Sequence, residues 1–195
     1  NMYLSPAFPN RMLEMIASDD VPLRDRRYRY SCLNFMLLKE MVEYISGMPM
    51  DEYLEKVFYA PMGMKHTLYH PLRRYEESQI VPTIQKDYLR NRKELRGYVH
   101  DEIAAFMGGV SGNAGLFSNA RDVAKVYQML VDGGQYGGKR YLSLETCQLF
   151  MNKKSRISRR TLGFDKPDPA PGKGPCADET PKEVVGHTGF TGTCA

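Results

Sequence analysis

The segment from Ser31 to Gly47 is the strongest constraint on how this chain folds. Leu33, Leu37, Met41 and Ile45 recur every four residues, and Met36, Leu38, Val42 and Tyr44 widen the stripe. An α-helix gathers residues at this spacing on one face. The pattern predicts a helix starting near Ser31, well buried against other elements. Gly47 is placed to end it, because glycine adopts the left-handed turn that closes helices. At 195 residues, 42% of them hydrophobic and 26% charged, the chain has the balance of a globular protein with a sizeable core.

The same period predicts further helices. Met12, Leu13, Ile16 and Ala17 mark one over Phe8 to Ser18. A short one follows Pro49, with Tyr53, Leu54, Val57 and Phe58 inward, and Pro61-Met62-Gly63-Met64 stops it. Ser118 is positioned to cap a helix whose stripe is Val123, Val126, Tyr127 and Leu130, ended by Gly133-Gly134. Ser143 opens one more, to about Met151. Met12, Met15, Met36 and Met41 read as core filling. Asp19 to Arg29 reads as a polar, Arg-rich loop, residues 70 to 100 as a surface loop with a short helix, and Asp165 to Thr180 as irregular chain rich in Pro and Gly. Tyr136 to Leu142 reads as a turn with a short strand, and Val184 to Thr193 as a strand.

Charge and composition exclude several classes. The net charge of +4 comes from scattered clusters, such as Arg24 to Arg29 and Lys153 to Arg160. Acidic residues are interspersed and no nucleic-acid motif accompanies them, so these clusters read as solvated surface. No stretch approaches the ~18 apolar residues of a membrane span. Cys32, Cys147, Cys176 and Cys194 lack paired zinc-ligand spacing and read as free thiols. Of the histidines, only His66 and His70 share helical spacing; His100 and Asp101 read as a loop pair. No metal and no cofactor are expected.

Two triplets stand out: Tyr30-Ser31-Cys32 at the mouth of the main helix, and His187-Thr188-Gly189 near the end of the sequence. Between them lie Ala60-Pro61-Met62-Gly63-Met64-Lys65-His66-Thr67, Gly97-Tyr98-Val99-His100-Asp101-Glu102, and the glycine-rich Gly109 to Ser118. In this order the segments resemble the serine β-lactamase-like superfamily of class C β-lactamases, DD-peptidases and related esterases. They look closest to Bacteroidetes lactamase-like modules, some fused behind a glycosidase. The family's three motifs are Ser-x-x-Lys, a Tyr-x-Asn type triplet, and Lys-Thr-Gly or His-Thr-Gly.

The resemblance implies an α+β fold, of which this chain is expected to hold mostly the helical subdomain with few strands. Residues 1–195 would then be one incomplete domain, cut at both ends. Tyr30 matches the motif tyrosine, which assists the lysine in taking the proton from the nucleophilic serine. Thr188 would hydrogen-bond the substrate, Gly189 would admit it close to the backbone, and the N–H of Phe190 would help line the oxyanion hole. His187 stands where β-lactamases carry lysine and supplies less positive charge at neutral pH, which favours an esterase or peptidase variant. Cys32 replaces the usual Asn or Asp, and a thiol is a poor hydrogen-bonding substitute for either.

None of the ten serines is followed by lysine three residues later. There is no Gly-x-Ser-x-Gly elbow either: Gly109 precedes Ser111, but Asn113 follows it. The resulting expectation is part of a serine hydrolase whose nucleophile lies elsewhere, acting on an ester, a D-amino-acid peptide or a β-lactam. The alternative is a non-catalytic module that binds cell-wall peptide or a partner protein. Self-association, or a fused glycosidase domain in the parent, completes the expected partners. Cell-wall chemistry would place the parent outside the cytoplasm.

Overall fold

The computed structural model describes residues 7–18, 28–152 and 155–195. The chain divides into two compact units, one holding the helix at Phe8–Ser18 with Tyr30–Asn119, the other holding Ala120–Ala195. The predicted loop over Asp19 to Arg29 lies mostly outside the described residues.

The first unit contains α1 (Phe8–Ser18), α2 (Leu33–Ser46), α3 (Met50–Leu54) and α4 (Glu102–Phe106). α1 has the predicted bounds, and its Phe8 ring meets Phe106 of α4 edge-on at 5.2 Å. α2 starts after Ser31, whose hydroxyl accepts from the Leu33 N–H at 3.2 Å. It stops at Gly47, which takes the left-handed conformation (φ 67°) and donates its N–H to the Glu43 carbonyl. α3 widens into one π-type turn over Glu55–Tyr59, with Ala60 N–H donating to the Glu55 carbonyl at 2.9 Å.

The burial of α2 is the reverse of the expectation. Only Met36 is buried, while Leu37, Leu38 and Met41 are exposed, as are Tyr44 (90%) and Ile45 (77%). The inward side carries charge instead. Lys39 bridges Glu40 and Glu43 at 2.9 and 2.7 Å, and the second Glu43 oxygen accepts from the Met50 N–H at 2.9 Å. A helix N-terminus needs acceptors for its first N–H groups, and α2 turns a carboxylate toward α3 to supply one. Met36 is thus the only one of the four methionines read as core filling that is buried, and Met50, Met62, Met64 and Met107 are buried in the same unit.

Residues 70–100 pack more than a surface loop would. Ile84 pairs with Leu95 and Asp87 with Arg92, and Leu95 is fully buried. Asp101 caps α4 by accepting from the Ala104 N–H at 2.7 Å, a role its reading as a loop residue missed.

The second unit contains α5 (Ala120–Val131), the hairpin β1 (Gln135–Tyr136) and β2 (Lys139–Arg140), and α6 (Leu144–Asn152). Gly137 and Gly138 both take positive φ, as the tight turn between antiparallel strands demands. Met129, Leu130 and Cys147 form its core. Ser143 caps α6 as predicted, accepting from the Thr146 N–H at 3.1 Å. The Ser118 hydroxyl lies 2.6 Å from that of Thr67, within the first unit. The described residues are mostly helical, with one short two-stranded sheet. All four cysteines are free thiols.

The two faces of α2 respond differently to mutation. Met36→Ala is expected to lower stability by ~2–5 kcal/mol, whereas Tyr44→Ser and Ile45→Ser each stay within about 0.5 kcal/mol. Urea unfolding of the three variants measures this. A loss of core size from Ile45→Ser would show that its face is covered in solution.

Candidate functional site

The two motif triplets fall in different units. In the first, Tyr30 and Ser31 lead into the opening turn of α2, with Tyr30 59% exposed. Cys32 stands at the N-cap, where its carbonyl accepts from the Phe35 and Met36 N–H groups at 3.1 and 3.3 Å. Its thiol makes no capping bond, so the Ser31 hydroxyl caps the helix in its place.

The glycine-rich loop packs against this turn. A Cβ at Gly112 would collide with the Phe35 carbonyl oxygen, so only glycine fits there. A Cβ at Gly115 (φ 109°) would likewise collide with the Gly109 carbonyl oxygen. Buried Ser111 donates to Asn113 Oδ1 at 2.7 Å, and its carbonyl accepts from the Tyr69 hydroxyl at 3.3 Å. Burial, aided by the Asp51 charge, pushes the Tyr69 phenol up to about 12.

His70 borders the same loop. A Cβ at Gly109 would lie 2.7 Å from its ring. Burial and the Arg73 charge hold the imidazole below its ordinary range, with Asp51 opposing them. In the sequence, His70 stands out only by its helical spacing from His66. Among the described residues, no group of three or more His, Cys, Asp or Glu side chains is placed to hold a metal ion.

In the second unit, residues 187–195 form a tight hairpin rather than one continuous strand. His187 N–H donates to the Ala195 carbonyl at 2.8 Å, Ala195 N–H returns the bond at 3.1 Å, and Gly189 N–H donates to the Thr193 carbonyl at 2.7 Å. Gly192 N–H donates to the Gly189 carbonyl, which places Phe190 and Thr191 at the turn. Phe190 is 91% exposed. A Cβ at Gly189 would strike the Thr193 hydroxyl, a side-chain group that must give way before a larger residue fits there.

The structure therefore brings His187, Thr188, Gly189 and Phe190 together on one hairpin, and Tyr30 and Cys32 together at one helix mouth. Behind the hairpin lies a charge cluster. Gly186 and Asp165 exchange backbone bonds at 2.7 and 3.1 Å. The Asp165 carboxylate accepts from Arg159 at 2.7 and 2.9 Å and from the Lys166 N–H at 2.9 Å. Arg160 lies 3.2 Å from Asp165 and 3.0 Å from the His187 ring.

Two measurements test this geometry. The unfolded chain binds a proton at His70 more readily than the folded one, so stability falls as pH drops from about 7.5 to 5. His70→Asn, which tolerates the positive φ at this position, is expected to remove that component; urea midpoints across this range that match the wild type would refute it. Gly189→Ala is expected to cost ~1–3 kcal/mol by overpacking. Adding Thr193→Ala restores most of the loss, and a double variant no more stable than Gly189→Ala would disprove the contact.

The Beta-lactamase family model matches residues 7–195. A protein of Escherichia coli (strain K12) named "Putative D-alanyl-D-alanine carboxypeptidase" is 35% identical over 178 residues, covering 86% of this chain and 41% of its own length. The chain thus spans less than half the length of the curated relatives it matches. Among solved structures, the octameric penicillin-binding protein homologue of Pyrococcus abyssi superposes with a TM-score of 0.55 at 16% identity, over 100% of this chain and 39% of the other. A penicillin-binding protein homologue of Caulobacter crescentus gives 0.54 at 17% identity, over 84% and 47%. These likenesses show the fold, α+β and present here in part. By its family match over nearly the whole sequence, the chain belongs to the Beta-lactamase family, a group of serine hydrolase-like proteins.

Proposed function

We propose that this chain carries two of the three motif sites of a serine acyl-transfer hydrolase, and that the acylated serine lies outside these 195 residues. One observation carries the reading. The family match runs from residue 7 to 195, yet no serine within it has lysine three residues on. In this reading Tyr30 assists removal of the serine proton and the serine oxygen attacks the substrate carbonyl. The Phe190 N–H stabilises the developing oxyanion, and the leaving group departs with a proton before water releases the acid. Thr188 hydrogen-bonds the substrate.

The substrate class we favour is a D-amino-acid peptide or amide. The carboxypeptidase name of the relatives supports it, and His187 in place of lysine points away from β-lactams. On the same reading, the parent would act outside the cytoplasm. Cys32 favours a second reading, a non-catalytic module that binds cell-wall peptide. Its thiol offers neither the amide nor the acid found at this position in the family, and it makes no capping bond.

Intact-mass analysis after incubation with a penicillin or an activated acyl ester separates the readings. The longer domain containing this chain is expected to gain one acyl group on a serine, and Tyr30→Phe to slow acylation by ~10²–10⁴-fold. A longer domain with no serine adduct supports the binding module and sinks the enzyme. An adduct on a serine within these 195 residues overturns the placement of the nucleophile outside them.

A further inference from the structure

The ring of His187 is held at both nitrogens. Nε2 lies 3.0 Å from Nη1 of Arg160, and Nδ1 lies 2.7 Å from the Thr188 carbonyl oxygen. A guanidinium only donates and a carbonyl oxygen only accepts. Both contacts therefore demand the same ring, with the proton on Nδ1 and the lone pair on Nε2. The opposite tautomer would turn both bonds into clashes of like groups. Arg160 is itself fixed through Nη2 on Asp165, and Asp165 is gripped by Arg159, which also reaches Asp168 at 3.2 Å.

The carbonyl that meets the ring belongs to the Thr188–Gly189 peptide. The N–H of that same peptide donates to the Thr193 carbonyl at 2.7 Å. The peptide is thus held from both sides, and the next N–H along the chain is that of Phe190.

We propose that Arg160 is a positioning residue for the His187-Thr188-Gly189 motif. It acts through the His187 ring, whose tautomer it selects, to fix the peptide that precedes the Phe190 N–H. His187 is then neither a cationic anchor nor a base toward substrate, because the Nε2 lone pair is occupied by Arg160. The importance of that peptide rests on the acyl-transfer reading; the tautomer does not.

Long-range ¹H–¹⁵N correlation of the imidazoles in the ¹⁵N-labelled chain, at mildly alkaline pH, tests the proposal. The wild type is expected to show His187 as the Nδ1–H form alone. Arg160→Met, which removes the donor, shifts the ring toward the Nε2–H form, and Arg160→Lys, which keeps a donor, retains Nδ1–H. An Nε2–H ring in the wild type, or an unchanged ring in Arg160→Met, overturns the proposal. Should Arg160→Met fail to fold, the wild-type spectrum still decides. The tautomer is read without any activity, so a domain that acylates nothing yet shows the Nδ1–H ring upholds this inference while sinking the hydrolase. An acylating domain with the Nε2–H ring does the reverse.

Discussion

Asp165 is buried, and a buried carboxylate costs several kcal/mol unless its lone pairs are met. Here they are met by Arg159 through two nitrogens, by Arg160, and by the Lys166 N–H. Burial works to raise the carboxyl, but these bonds and charges outweigh it and hold the group below the usual carboxylate range. The backbone of the same residue pairs with Gly186 in both directions. The charge cluster and the motif are therefore one peptide unit apart. Removing either arginine would leave charge buried with fewer partners, which costs more than never having built the pair. The Asp165–Gly186 bridge ties the start of the hairpin to this cluster.

The first unit is organised by close backbone approach instead. Gly112 lets the glycine-rich loop touch the Phe35 carbonyl at the first turn of α2, and any side chain there would push the loop away. The Tyr69 hydroxyl ties the same loop through the Ser111 carbonyl. Together these contacts set the loop beside the helix mouth that presents Tyr30 and Cys32. α2 is anchored on its polar side, by Glu43 to the start of α3, and its apolar stripe faces outward. That stripe is a contiguous face of Leu37, Leu38, Met41, Tyr44 and Ile45, the kind of surface that proteins seldom leave in water without use.

What could be read in the sequence was what local chemistry decides. The bounds of α1 and the stop at Gly47 follow from apolar spacing and from glycine's access to positive φ, both properties of a few adjacent residues. The direction in which α2 faces was not legible, because a period defines a stripe but not its partner. The burial of Leu95 was hidden because charged neighbours made its segment look solvated, although Thr83 and Arg96 use their polar ends on backbone carbonyls around it. Arg160 was hidden for the same reason. Within a basic run it reads as surface, and only the fold brings it to a histidine 27 residues on.

The hairpin also changes how the third motif should be weighed. Gly189 appears in the family motif, and the Thr193 hydroxyl crowds the space a side chain would take here, so packing contributes to the preference for glycine. His187 likewise has a structural task, between Arg160 and Thr188. Phe190 is different. It sits at the turn with 91% of its surface exposed, and an apolar ring displayed there gains little from burial. The acyl-transfer reading uses the backbone N–H of Phe190, a group that every residue but proline supplies, so what matters at this position is the geometry of the turn and not the identity of the side chain.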